Sequence, residues 1–287
     1  MNRVRASGES YDQVLQYFAI ERFLYRLSRT EWGDRFIVKG AIMLRAWGTP
    51  MGRPTRDIDF LGRVSHSSEA VLTAVRECLA VDYPEDGLVF ESEIKVSEIN
   101  TEEDNPGVRV SLRGDLDRGK FKLQLDISID DAVVPEPAWL DYPTLLDLDA
   151  PRILVYRVET ALAEKYETIV SKGITNSRLR DFYDIWLLSR SQSFAGDKIA
   201  AAIGATFAHR RTALPSDTPP GLTEEFSASA EARTRWNSFL TGKGVDAPAD
   251  LVYVCDVIAS FITPPAVAAA AGMPFSSTWD PLAGWSD

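Results

Sequence analysis

Asp57 and Asp59 flank Ile58 in the run Arg53-Pro54-Thr55-Arg56-Asp57-Ile58-Asp59-Phe60-Leu61. On a strand, residues two apart share a face, so these carboxylates would stand side by side at the edge of an apolar layer. Like charges held that close repel, and folding alone gains nothing from them. A divalent cation neutralises such a pair. Asp126 belongs to Phe121–Ile129, where Phe121, Leu123, Leu125, Ile127 and Ile129 take one face and Lys122, Gln124, Asp126 and Ser128 the other. If the two strands are neighbours, three carboxylates converge. That set suits two Mg²⁺ ions, which take a few carboxylates plus substrate phosphates. Two metals activate an attacking oxygen and stabilise a leaving pyrophosphate in phosphoryl or nucleotidyl transfer.

Two further groups of residues fit an anionic substrate. Lys39-Gly40-Ala41 follows the apolar run Phe36–Val38 and precedes a short helix. A glycine there admits close backbone approach, and a helix N-terminus offers N–H groups to a triphosphate. Downstream, Lys165 lies on a helix with Leu162, Tyr166, Ile169 and Val170. Lys172, Arg178 and Arg180 gather positive charge around the turn that follows, beside Asp181. Such a cluster suits a triphosphate or an RNA backbone, and equally a solvated helix start in which Asp181 favours the dipole and pairs with Arg178. His66 and His209 have no metal-ligand spacing, and His209-Arg210-Arg211 reads as cations at a helix C-terminus. Trp32, Trp47, Trp139, Trp186 and Trp236 read as core or domain-contact residues.

The elements that must position these residues are legible from periodicity. Helices are expected over Tyr11–Leu27, Ile42–Trp47 and Ser68–Val81, the last capped by Ser67 or Ser68. Ile58–Leu61, Leu88–Val96, Val108–Leu112 and Phe121–Ile129 read as strands, with Asn100–Gly107 an acidic loop. After the proline-punctuated stretch Pro135–Pro151, helices are expected over Ile153–Val170, Arg178–Ser189, Asp197–His209, Glu224–Leu240 and Leu251–Phe261. Leu214–Thr223 reads as a Pro-rich linker. The expectation is α+β: residues 1–145 as a mixed sheet with flanking helices, then residues 146–287 as an all-helical domain with a loosely ordered tail from about 264.

The 287 residues are 45% apolar, enough for a real core. The net charge of −11 is not that of a typical bulk nucleic-acid binder, so any RNA or DNA contact must use a local basic patch. The bland reading of the acidity is solubility. No uninterrupted apolar run reaches the roughly 18 residues of a membrane span, and the N-terminus lacks the apolar core of a secretory signal. Cys78 and Cys255 lie far apart and suggest no disulfide framework. A cytoplasmic protein without a membrane partner is expected.

Gly40 followed by Arg-Pro-Thr-Arg-Asp-Ile-Asp over 53–59 resembles the polymerase-β-like nucleotidyltransferase signature. More narrowly, the chain resembles the AbiEii/AbiGii toxin family, which includes the MenT nucleotidyltransferase toxins. Ala163-Glu164-Lys165-Tyr166-Glu167, Gly173 and Asn176-Ser177-Arg178-Leu179-Arg180-Asp181-Phe182-Tyr183-Asp184-Ile185 are similar to that family's later motifs. The resemblance implies a polymerase-β-like N-terminal fold and an enzyme using NTP and Mg²⁺. It implies that Asp57 and Asp59 bind metal, with Asp126 matching the third strand acid by position and pattern. It gives Lys165 the nucleotide phosphates, with Asp181 completing the site and Asp184 a second candidate. Lys39, Gly40, Ala41 and Arg56 would line the nucleotide, and Lys172, Arg178 and Arg180 would meet nucleic acid. Ala41 stands where many relatives carry Ser or Gly, so backbone donors alone would serve phosphate there. The implied activity is transfer of a nucleotide to RNA, the tRNA 3′ end foremost, blocking translation, with a cognate antitoxin as partner. Two other readings stay open: a protein or small-molecule acceptor, or an inactive nucleotidyltransferase fold used as a binding module.

Overall fold

Alternation of apolar and polar residues builds one large mixed sheet, and the core lies on its apolar face. The computed structural model describes residues 10–49, 55–64, 67–99, 107–243 and 245–287. Arg53, Pro54, His66 and most of the Asn100–Gly107 loop fall outside them. The sheet strands are β1 (Phe36–Lys39), β2 (Asp57–Gly62), β3 (Leu88–Phe90), β4 (Lys95–Ile99), β5 (Gly107–Leu116), β6 (Gly119–Ser128), β7 (Ala138–Asp141) and β8 (Arg152–Val155). Their order is β3-β5-β6-β2-β1-β8-β7, with β4 also pairing β5. β2 runs parallel to β6, and β1 parallel to β8. The β1–β2, β5–β6 and β7–β8 pairs are antiparallel.

Helix α1 (Tyr11–Ser28) opens with a capping box between Ser10 and Gln13. Its apolar residues Leu15, Phe18, Ala19, Phe23 and Leu24 are buried, and so are Glu21, Arg22 and Arg26. Those charges survive burial because each is paired. Arg26 grips both oxygens of Asp86 at 2.5 and 3.3 Å. Arg22 meets Glu21 at 2.8 Å and donates to the Asp149 carbonyl. Glu21 accepts the Leu145 N–H, and burial raises its carboxyl above the ordinary value. The segment before β8 is thereby strapped onto the helix. Short α2 (Ile42–Ala46) follows β1, and α3 (Ser68–Ala80) is capped by Ser67.

The chain divides into two compact units. The first takes in the described residues of Met1–Ala46, Pro54–Asp130 and Pro137–Tyr156. The second takes in those of Trp47–Arg53, Asp131–Glu136 and Arg157–Asp287. The first thus runs past the expected boundary at 145. The run Ile153–Val155, expected as the start of a helix, lies in strand β8: Val155 pairs with Val38, and the Tyr156 N–H just beyond it donates to the Val38 carbonyl at 3.0 Å. A short apolar run is ambiguous between strand and buried helix, and β1 had an edge to offer it.

The second unit holds α4 (Val158–Lys172), α5 (Leu179–Ser191), α6 (Gly196–Arg210), α7 (Glu224–Ser227), α8 (Ala230–Lys243) and α9 (Leu251–Ala270). It is not all-helical. β9 (Phe194–Ala195), β10 (Thr278–Asp280) and β11 (Gly284–Ser286) form a second sheet in the order β11-β10-β9. The tail expected to be loose from 264 is also ordered. α9 continues through Pro264 and Pro265 because Ile262, Pro265 and Ala266 are buried. Trp279 then donates to the Ser189 carbonyl and Trp285 to the Phe261 carbonyl. By length and composition α9 could cross a membrane, but half of it is buried within the protein. Cys78 and Cys255 are free and buried, which pushes both thiols up to about 12.

Candidate active site

In the first unit, strand register collects the predicted acids on one face. Asp59 lies opposite Asp126 on the parallel neighbour β6 and opposite Lys39 on β1; Asp57 lies opposite Gln124. Lys39, Asp59, Asp126 and, through β5, Arg109 therefore form a row across four strands. Opposite residues share a face of a sheet. Gln16 of α1 donates to the carbonyls of Arg56 and Lys122, tying the start of β2 to β6. The Arg56 side chain itself is exposed.

Gly40 fixes the position of Asp59. It adopts φ +78°, and a β-carbon there would meet the Asp59 carboxylate Oδ2 at 1.8 Å. Only glycine lets the backbone lie against that carboxylate. Ala41 is buried, and the Lys39 ammonium sits 5.3 Å from the centre of the Tyr156 ring. The helix that follows has only five residues, and its Met43 and Leu44 N–H groups already donate to the Gly40 and Ala41 carbonyls. A phosphate seat there would rest on the glycine backbone and not on a long helix dipole.

Asp126 shares the face but not a three-carboxylate cage. Arg109 takes both its oxygens, Nε to Oδ1 and Nη2 to Oδ2, each at 2.8 Å, and Gln124 adds a bond at 3.1 Å. Among the described residues no three His, Cys, Asp or Glu side chains stand close enough to hold one metal ion. The convergence expected of Asp57, Asp59 and Asp126 is therefore limited to a shared face, because a fork-shaped guanidinium satisfies Asp126 first. Arg109 was not singled out in the sequence. Its signal was there: it occupies the polar face of a strand pairing with that of Asp126.

In the second unit, the 3-10 turn Gly173–Thr175 folds α5 back on α4. Lys165 Nζ then lies 3.2 Å from Asp181 Oδ1 and 2.7 Å from Asp184 Oδ2. Arg178 Nε reaches Asp181 Oδ2 at 2.9 Å. Buried Asn176 holds the turn: its Oδ1 accepts the Arg178 N–H, and its amide donates to the Thr168 carbonyl. Burial alone would raise the Asp181 carboxyl, but Lys165, Arg178 and Arg180 outweigh it and hold it at about 2. Lys172 is half-buried and Arg180 exposed. Lys165, Arg178, Asp181 and Asp184 are thus one network, while Lys172 and Arg180 flank it.

Arg210, read from sequence as a helix-end cation, is instead the centre of a second network. Its Nη2 meets Asp131 at 2.8 Å and its Nη1 meets Glu167 at 2.9 Å, with Glu164 at 3.9 Å. No local pattern could show this, since Asp131 lies 79 residues away in the chain. Trp139, expected in the core or a domain contact, is 48% exposed on edge strand β7. It borders a pocket of about 520 Å³ with Tyr25, Arg29 and Arg152, which none of the predicted site residues lines.

No curated protein matches the chain. Among solved structures, JHP933 from Helicobacter pylori is similar at 16% identity, with a TM-score of 0.52 over 92% of this chain and 94% of that one. A second H. pylori chain, provisionally labelled a nucleotidyltransferase, is also 16% identical, with a TM-score of 0.49 over 92% and 97%. The first of these likenesses concerns the fold. The family model for the nucleotidyl transferase AbiEii toxin of type IV toxin–antitoxin systems matches residues 22–270, a span containing the Gly40–Asp59 contact and the Lys165 network, and the chain belongs to that family.

Proposed function

We propose that the protein is a Mg²⁺-dependent nucleotidyltransferase toxin that moves a nucleotide from an NTP to the 3′ end of an RNA, foremost tRNA, and so blocks translation. The observation that carries this reading is the Gly40 backbone laid against Asp59, beside Asp57 on the same strand face. Two carboxylates together with substrate phosphates are a sufficient Mg²⁺ donor set. Bound there, Mg²⁺ would activate the acceptor oxygen and neutralise charge developing on the departing pyrophosphate. Asp57 and Asp59 would hold the ion, and Asp126 would join them only by exchanging Arg109 for it. The Gly40–Ala41 backbone, Lys39 and Arg56 are the nucleotide contacts proposed in the first unit. Lys165 is proposed to give its charge to the triphosphate, with Asp181 and Asp184 holding its ammonium in place. Arg178, Arg180 and Lys172 are proposed phosphate contacts for nucleic acid. A type IV toxin family implies a cognate antitoxin.

The test is incubation with each labelled NTP, Mg²⁺ and total cell extract. Label is expected in an RNA band of tRNA size, lost with chelator and in Asp59→Ala. Label in a protein band or a small product would move the acceptor to another class. No label from any NTP would reject the activity.

A further inference from the structure

The sheet face that carries Asp57 and Asp59 extends outward over β6, β5 and β4, and there it is basic. On the face shared with Asp126, β6 presents Lys120 and Lys122 and β5 presents Arg109 and Arg113, while Lys95 of β4 is paired with Glu93 at 3.5 Å. The same face of these strands carries two acids, Asp115 and Asp126. Asp115 lies opposite Lys120, and Asp126 is taken by Arg109. Arg113 and Lys122 lie directly opposite each other, and both are exposed. Like charges directly opposed across a sheet are destabilising. Among the described residues neither takes part in an ion pair. In a chain of net charge −11, this clustering runs against the overall balance.

We infer that this face is the docking platform for the phosphate backbone of the RNA acceptor, an inference that rests on the RNA reading above. The alternating burial along β5 and β6 leaves the cations on an open surface over a buried apolar layer. Cations two residues apart on a strand stand about 7 Å apart and those on adjacent strands about 5 Å, a grid that meets successive phosphates. The platform also begins beside the acids. Asp57 is paired with Gln124, and Lys122 is the next residue on that face of β6. A strand of RNA lying on Arg113 and Lys122 has its end within reach of Asp57, where the proposed transfer needs the terminal hydroxyl. An acidic protein segment would meet the same charges without that placement.

The test uses the full chain, a fluorescein-labelled tRNA transcript and Mg²⁺-free buffer, so that binding is read without transfer. Affinity is measured against KCl concentration for the parent, for Arg113→Gln/Lys122→Gln and for Arg113→Lys/Lys122→Arg. The neutralised variant should bind on the order of tenfold more weakly. Its log–log salt slope should shrink by about 1.4 to 1.8, the loss of two phosphate contacts. The charge-retaining variant should match the parent. Three results would overturn the platform: no tRNA binding by the parent, equal affinity and slope in the neutralised variant, or displacement of tRNA by polyglutamate as readily as by unlabelled RNA. The two readings fail separately. Binding that depends on Arg113 and Lys122 in a protein that transfers no nucleotide would keep the platform and reject the transfer. Transfer to RNA with unchanged binding in the neutralised variant would do the reverse.

Discussion

Gly40 and Asp59 occupy one another's space: a β-carbon on Gly40 would lie 1.8 Å from Oδ2, 2.7 Å from Cγ and 2.9 Å from Cβ of Asp59. The last distance means that shortening Asp59 to alanine does not make room. Gly40→Ala should therefore cost about 1–3 kcal/mol through the left-handed backbone alone, with a further penalty from the clash, and it should move Asp59. Urea unfolding should show a smaller cost for Gly40→Ala in an Asp59→Gly background than in the parent. Equal costs in both backgrounds would mean that the glycine serves the turn and not the carboxylate. Nucleotide transfer should fall at least tenfold in Gly40→Ala.

Arg210→Met should be among the most destabilising single changes in the second unit. It takes the Arg210 guanidinium away from buried Asp131 and Glu167, and breaking a buried pair by removing one partner costs about 3–5 kcal/mol. Thr212 also donates to Glu167 at 2.5 Å, so part of that carboxylate stays satisfied. Arg210→Lys should recover less than half of the loss, because an ammonium cannot fork between Asp131 and Glu167. Denaturant midpoints with unchanged m-values are the measure. A loss under about 1 kcal/mol would place the network among surface pairs of little weight.

Local pattern carried much of the first unit. Period-two alternation over 121–129 and the Asp-Ile-Asp spacing marked Asp57, Asp59 and Asp126 as polar-face strand acids, and the β2–β6 pairing then brought them to one sheet face with Asp59 opposite Asp126. What the sequence hid depends on partners distant in the chain. Arg109 closes on Asp126 only because β5 and β6 pair in this register. Arg22 and Arg26 look like solvated helix charges until Asp149 and Asp86 fold against them. The C-terminal tail misled for a compositional reason: Pro, Gly, Ala and Ser suggest looseness, yet two tryptophans among them close an aromatic cluster. Trp279 stands 4.9 Å from Phe261 and 5.4 Å from Trp285.

That cluster makes the tail a test of its own. Trp279 is buried, and its indole donates to Ser189 at 2.7 Å. Trp279→Ala should cost about 3–5 kcal/mol, the usual range for emptying a large aromatic site, and Trp279→Phe less, since it loses chiefly the hydrogen bond. Removing residues 274–287 should destabilise the protein at least as much as Trp279→Ala. A truncated chain with the parent's unfolding midpoint would show that the hairpin packs without contributing to stability.

Lys165 holds Asp181 and Asp184 and is the proposed triphosphate contact. Asp181 is held at about 2 against an ordinary 3.8. A depressed folded value means stability that is fully present above about pH 4 and lost as pH falls toward 2, on the order of 2 kcal/mol. Lys165→Met removes one source of that depression, and burial then pushes the Asp181 carboxyl upward. Acid unfolding should begin at a higher pH in this variant, and stability at pH 7 should drop by about 3–5 kcal/mol, because Asp181 and Asp184 lose their shared cation. Lys165→Arg should keep most of the stability, since Asp181 and Asp184 still face a full charge. It should restore nucleotide transfer only in part, because a planar fork replaces a compact ammonium at the proposed phosphate contact. If Lys165 contacts the triphosphate, NTP affinity and the transfer rate fall together in Lys165→Arg, as expected of a charge acting in both ground and transition states. A Lys165→Arg enzyme that keeps both would confine Lys165 to holding α4 against α5.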